Sequence, residues 1–563
     1  MDTCTRSRAK ALLLATLIFC TATAIANNGN GNGNGNGGNA RYFAAFTNSL
    51  FGGQNQGLWL EDTSHPGSAP IPVTNQILDG VGILSGASIS NTAILDDWSY
   101  DQAKHEAVNV RPALLVYGLG GQLFSVSLRN PGNPQHFSNG AYSQLCGLTA
   151  LDGQPYAANS SYVEAFVIPN GSPGSCSTPN SVQTWLIPAG ANANTAPTIE
   201  PAHWTVLGAF SDAGTGAFVS WIVWNGSQVE ADNLHFSSHT SLLVGLPAGP
   251  APAVISQVGQ TAFVLSGSGN GVSHTDNIYR ITPNSGNTAA NLSYALTSPC
   301  NGNAGGTTTD APSGLVAVVE PTDTGYAVYS LPIAGGAATV IYSDASGTEC
   351  GTSQGDSVSA ARVVLNEFDP TFINPQRLIG VNENGPALQA PVVLVTAAAN
   401  QTVFAHYTIH GHIWIDVDTF PVSGPIQFAE LVMDGDGTVL ENYPNARLGD
   451  DIWGGFFQGG NSAIDRDVVY LFMPTGGLAC NGATLVAVDT GNFGLTNING
   501  VPVDACRTLA YGWVPASIGY VQEPGGVSAI SIDPVGGQLY LLTGPQNTGF
   551  YTNLSFLPGY PFY

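Results

Sequence analysis

Three of the ten histidines fall within seven residues, in Phe404-Ala-His406-Tyr-Thr-Ile-His410-Gly-His412-Ile-Trp-Ile-Asp416-Val-Asp418. Read as one strand, this segment puts His406, His410, His412, Asp416 and Asp418 on one face, because strand side chains alternate with a period of two. Imidazoles and carboxylates converging on a face suit a zinc or copper ion. A second reading competes. His410-Gly411 suits a hairpin turn, and a chain folding back there separates the histidines and breaks the array.

A second cluster is Asp434-Gly-Asp436-Gly-Thr-Val-Leu-Glu441. Carboxylates alternating on a glycine-rich turn offer the hard oxygen ligands of a calcium loop, and calcium is the one cofactor the sequence suggests. The EF-hand spacing is absent, however, and D-G-x-G makes a good turn with no ion at all.

Acid–aromatic pairs form a third class. Asp96 and Asp97 precede Trp98, and Asp450 and Asp451 stand just before Trp453. Aromatic faces stack on sugar rings, and two carboxylates across a cleft can cleave a glycosidic bond. Adjacency in sequence does not supply that geometry. Gly351-Thr-Ser353-Gln-Gly355 fits G-x-S-x-G, but a nucleophile elbow needs a strand before the serine and a helix after it. The residues before Ser353 read as a loop, and the chain lacks the alternating helices of a hydrolase.

The elements that must position these groups are strands. Glycine (70) and proline (36) are abundant and charged residues make up only 9%, a vocabulary of short strands and tight turns. Apolar strand-turn-strand units recur, with anchors near Trp59, Phe124, Trp185, Tyr279, Tyr329, Phe404, Val486 and Tyr540. Their mean spacing is about 69 residues. Such a unit cannot bury its faces alone, so neighbours must stack. The expected fold is all-β: a β-propeller of seven or eight antiparallel blades, which also hides strand edges. Tandem β-sandwiches are the alternative.

Residues 1–26 carry Arg6, Arg8 and Lys10, an apolar run and Ala24-Ile-Ala26, the parts of a secretory signal peptide. The Asn/Gly run of residues 27–40 reads as a flexible linker, and 41–563 as one domain. No later stretch is long and apolar enough to span a membrane as a helix. Beyond the signal, Cys146, Cys176, Cys300, Cys350, Cys480 and Cys506 remain, an even count that favours disulfides in an exported chain. Nearest-neighbour pairing is expected, each bond closing one local loop.

The net charge of −25, with Lys104 the only lysine after the signal, argues against nucleic acid, whose binders meet phosphates with basic side chains. The reading that follows is a secreted, monomeric, non-catalytic binding or scaffold protein, extracellular or periplasmic, taking a protein or carbohydrate ligand. A secreted carbohydrate-active enzyme using the acid–aromatic loops and a metal-binding extracellular protein are the alternatives.

Overall fold

A computed structural model describes the strand backbones between residues 42 and 561, and side chains mainly between 115 and 446. Residues 1–41, with the expected signal and linker, and Cys480 and Cys506 lie outside the described residues.

Every described element of regular structure is a strand. A three-stranded sheet (Tyr42–Thr47, Gly57–Asp62, Ile71–Thr74) precedes a seven-stranded sheet that spans two blades and then seven four-stranded antiparallel sheets, each in sequential order. Blade 1 is Thr92–Asp101, Glu106–Leu119, Gln122–Ser127 and the start of Gln135–Ala150. That long strand continues as the first strand of blade 2, followed by Tyr162–Pro169, Gln183–Pro188 and Thr198–Ile199. Blade 3 comprises Thr205–Ser211, Phe218–Trp224, Val229–Asp232 and His239–Leu243. Blades 4, 5, 6 and 7 begin at Ala253, Thr307, Cys350 and Gln401, so a unit recurs about every fifty residues. Blade 8 begins at Arg447 and blade 9 at Ser517.

The strands form because their sequences are apolar without interruption. Leu315-Val-Ala-Val-Val319 is a strand buried on both faces. Val316 and Val318 pack with Phe263 and Ile278 of blade 4, whereas Ala317 and Val319 pack with Val363 and Leu365 of blade 6. Blade 6 repeats the pattern: Val363 and Leu365 face blade 5, and Val364 faces Ile413 and Ile415 of blade 7. A sandwich sheet would pack one face and leave the other to solvent. Here blades 3 to 6 are each clamped between the sheets before and after them, the packing of a β-propeller.

The first strands of successive blades lie side by side. They are joined by small polar groups: Ser256 Oγ to Thr309 Oγ1 at 2.8 Å, and Thr308 Oγ1 to Ser353 Oγ at 2.5 Å. This is the inner edge of the blades, where the first strands converge.

Turn chemistry follows the sequence. Gly120 and Gly121 both adopt positive φ between paired strands, the geometry of a type I′ hairpin that a side chain resists. Asp79 caps the turn, accepting the amides of Gly120 and Gly121 at 2.8 Å each and the Tyr142 hydroxyl at 2.6 Å.

Two of the three expected disulfides are formed, Cys146–Cys176 and Cys300–Cys350. Next to the second, Gly351 lies under the fully buried ring of Tyr326, and a Cβ there would stand 2.4 Å from Tyr326 Cε2. Gly351→Ala is therefore expected to cost about 1–3 kcal/mol, as overpacking does, read as a lower urea midpoint at unchanged slope.

Candidate metal centre

The third strand of blade 3, Val229-Glu-Ala-Asp232, is buried at all four positions. Val229 and Ala231 belong to the core shared with blade 4, alongside Ala262, Val264 and Ile281. By strand alternation Glu230 and Asp232 take the opposite face. On that side Trp221, Val223 and Phe236 pack with Tyr162 and Leu186 of blade 2. Two carboxylates thus stand on a buried face, alongside apolar side chains of blades 2 and 3.

A tight turn brings an imidazole to them. Asn233 accepts the Ser237 amide at 2.8 Å through Oδ1, and its own amide donates to the Ser238 carbonyl at 3.2 Å. Phe236 in this turn has φ of 53°, a left-handed conformation costly for an aromatic residue and held by the packing around it. The turn sets His239 opposite Asp232 in the ladder.

His239 Nδ1 lies 3.0 Å from Asp232 Oδ2 and 3.9 Å from Glu230 Oε2. The three ligand atoms lie within 4.8 Å of one another. Glu230 is oriented from behind: Oε1 accepts Asn225 Nδ2 at 2.9 Å and a close contact from Gln228 Nε2, and Ser241 Oγ holds Gln228. Glu230 Oε2 and Asp232 Oδ1 are buried and accept no hydrogen bond. Trp204 sets its edge against His239 with ring centroids 5.1 Å apart. The imidazole is 41% exposed, so the group is reachable from solvent while the Asp232 side chain is sealed. Burial pushes the Asp232 carboxyl up, an effect the His239 contact opposes.

Among the described residues a second group, Asp344, Glu349 and Glu367, also brings ligand atoms within 4.8 Å. It already holds a cation. Arg377 Nε donates to Glu367 Oε2 in a close contact, and Arg377 Nη2 lies 2.8 Å from Glu349 Oε2, an ion pair without hydrogen-bond alignment. Glu367 Oε1 accepts from Tyr326 and Tyr342. This is a structural network between blades 5 and 6.

Two further acids are buried in blade 2. Glu164 is pushed up to about 7 by burial, and Glu200 to about 8 by burial and then by the neighbouring Glu164 charge. A carboxyl with a raised folded-state pKa favours folding fully below its unfolded value and loses that contribution as pH climbs. Stability is therefore expected to fall between about pH 4.5 and pH 8. Glu164→Gln with Glu200→Gln should remove most of that fall, on the order of several kcal/mol, measured as urea midpoints from pH 5 to 8.

The sequence-derived candidates are placed as follows. The chain doubles back between Ile409 and His412, which stand opposite each other, so the two arms of the histidine segment lie on separate strands. His406 falls at a register shift, and its side chain, like His410, lies outside the described residues. Asp416 and Asp418 are buried on the second arm. Asp434 Oδ1 accepts the amides of Asp436 (3.0 Å) and Thr438 (2.9 Å), closing the hairpin of blade 7. Asp436 pairs with Arg362 at 3.2 Å, and Glu441 accepts the Asn442 amide at 3.0 Å. These three are not among the groups whose ligand atoms converge.

Asp96 and Asp97 occupy successive positions of a blade 1 strand, between two register shifts. Asp450 and Asp451 lie outside the described residues. Ser353 sits within the first strand of blade 6, its amide donating to the Gly305 carbonyl at 3.0 Å, rather than on a strand-to-helix turn. Glu230, Asp232 and His239 were not singled out by sequence. The available signal was a pair of acids at alternate positions of a short apolar strand.

No protein-family model matches the chain, and no curated protein matches it. Among solved structures, a eukaryotic initiation factor is similar over 93% of this chain and 100% of its own, at 11% identity and a TM-score of 0.37. TolB from Acinetobacter baumannii is similar over 63% of this chain and 80% of its own, at 10% identity and a TM-score of 0.24. A chain of a nidogen/laminin complex is similar over 48% and 89%, at 14% identity and a TM-score of 0.23. Likeness at this level carries no argument; the fold rests on sheet order and blade packing.

Proposed function

We propose that this chain is an extracytoplasmic β-propeller, residues 41–563 forming one domain, that works as a monomeric binding or scaffold module for an extracellular protein or carbohydrate. The observation that supports it best is the stapled inner rim of blades 5 and 6. Cys300, in the segment entering blade 5, is bonded to Cys350, the first residue of blade 6. Beside it Gly305 bridges Thr352 in parallel. Sheet faces are consumed by packing, so ligands are left the loops and rims, and stapling those loops lowers the ordering cost of binding. Two disulfides also suit an oxidising compartment, in keeping with the signal-like residues 1–26.

The test expresses the full chain in a secreting host and probes it, immobilised, with arrayed oligosaccharides and extracellular proteins. Export with oxidised cysteines, and saturable binding to one class that weakens at least about tenfold on reduction, is expected. A chain retained in the cytoplasm with reduced thiols, or one that binds neither class, overturns the reading.

A further inference from the structure

The geometry points to a divalent transition-metal site formed by Glu230, Asp232 and His239 of blade 3. Ligands bound tetrahedrally at about 2.1 Å to one ion stand about 3.4 Å apart. The His239 Nδ1 separations of 3.0 and 3.9 Å from Asp232 Oδ2 and Glu230 Oε2 bracket that spacing, so side-chain shifts of about half an ångström bring the three atoms to it.

The burial of the site carries the argument further than an acidic surface cluster could. Asp232 and Glu230 are 0% and 5% exposed, yet Asp232 Oδ1 and Glu230 Oε2 receive no hydrogen bond. Two carboxylates a few ångströms apart in an apolar interface repel each other and lose hydration, a combination that needs a compensating cation. The network between blades 5 and 6 meets the same need with Arg377. In blade 3 the charged neighbour of the pair is His239, an imidazole rather than a fixed cation such as Arg377, and Glu230 is otherwise held by the neutral amides of Asn225 and Gln228. Those amides leave Oε2 turned toward Asp232 and His239, as outer-shell donors do around metal ligands.

One imidazole and two carboxylates form a mixed N/O set, which suits Zn²⁺ or Mn²⁺ better than Ca²⁺, whose sites are built of oxygen alone. The exposed edge of His239 provides the entry path, and Trp204 holds the ring upright. The site does not depend on the ligand-binding reading above and is tested on the purified protein alone.

The full chain is stripped with a chelator and titrated with Zn²⁺, Mn²⁺ and Ca²⁺, each alone, by calorimetry and by thermal shift. One Zn²⁺ or Mn²⁺ per blade 3 site is expected, seen as a saturable heat and an upward thermal shift. Loss of an outer-shell partner alone weakens metal binding about 10–100-fold, so His239→Gln and Asp232→Asn should each weaken it at least that much. Asp232→Asn sits in the core and risks misfolding. His239→Gln is at the surface and keeps the test decisive. Binding unchanged in His239→Gln, a response to Ca²⁺ only, or no response to any of the three ions overturns the assignment.

Discussion

Glu367→Ala is expected to remove about 3–5 kcal/mol of stability, the penalty for breaking a buried ion pair by taking away one partner. Glu367 is fully buried on the second strand of blade 6, and its two carboxylate oxygens collect three donors: Tyr326, Tyr342 and Arg377. Removal strands two phenols of blade 5 and leaves Arg377 to Glu349 alone. The stranded phenols stay neutral, since burial and the Glu367 charge already push Tyr342 upward and Tyr326 well above the usual phenol range. They become unsatisfied donors rather than charges, each costing about 1–3 kcal/mol. Urea midpoints followed by tryptophan fluorescence read the loss. Tyr342→Phe deletes one donor and should cost about 1 kcal/mol. A Glu367→Ala protein within 1 kcal/mol of wild type would show that the apolar packing of Val363, Leu365 and Ile379 holds the two blades without the network.

The location of that network shows what the sequence made legible and what it did not. Strand identity was legible, because runs such as Leu315–Val319 and Val363–Leu365 are apolar without alternation and can only be buried on both sides. Hairpin reversals were legible too, at Gly120-Gly121 and between Ile409 and His412. The grouping of strands into blades was less so. Pro391–Val395 and Thr402–Tyr407 read as one unit, yet Val392–Thr396 closes blade 6 and Gln401–Ile409 opens blade 7. A short connection between blades looks in sequence like a short connection within one. Blade 3 carried no anchor, and eight anchors at about 69-residue spacing thus resolve into more numerous units of about fifty.

The candidate metal site was hidden for a related reason. Clusters dense in sequence drew the reading, and Asp434 and Asp436 show why density misleads: one closes its own turn and the other meets Arg362 across a blade boundary. Glu230 and Asp232 look unremarkable as two acids in a four-residue strand. Their significance comes from burial and from the ladder that sets His239 beside Asp232, neither of which is a local property.

Removing the Cys300–Cys350 bond by replacing both cysteines with alanine is expected to cost about 4 kcal/mol, the chain entropy returned to the unfolded state by opening a 50-residue closure. The Cys146–Cys176 pair, separated by 30 residues, should cost slightly less, because the entropy grows only with the logarithm of the loop. Loop length does not exhaust the difference. Cys146 and Cys176 belong to one blade, whereas Cys300 and Cys350 join the entry of blade 5 to the inner strand of blade 6. Both of the latter sulfurs lie in the core that contains Tyr326, Val363 and Leu365. Loss of this bond should therefore loosen an interface, and amide exchange is expected to rise at Gly305, Val319 and Ser353, whose hydrogen bonds cross or flank the junction. Combined with Glu367→Ala the effects should not add, since both changes weaken the same contact between blades. Strict additivity would mean that the disulfide acts only on the unfolded chain, and that the rim is held by packing whether or not its cysteines are oxidised.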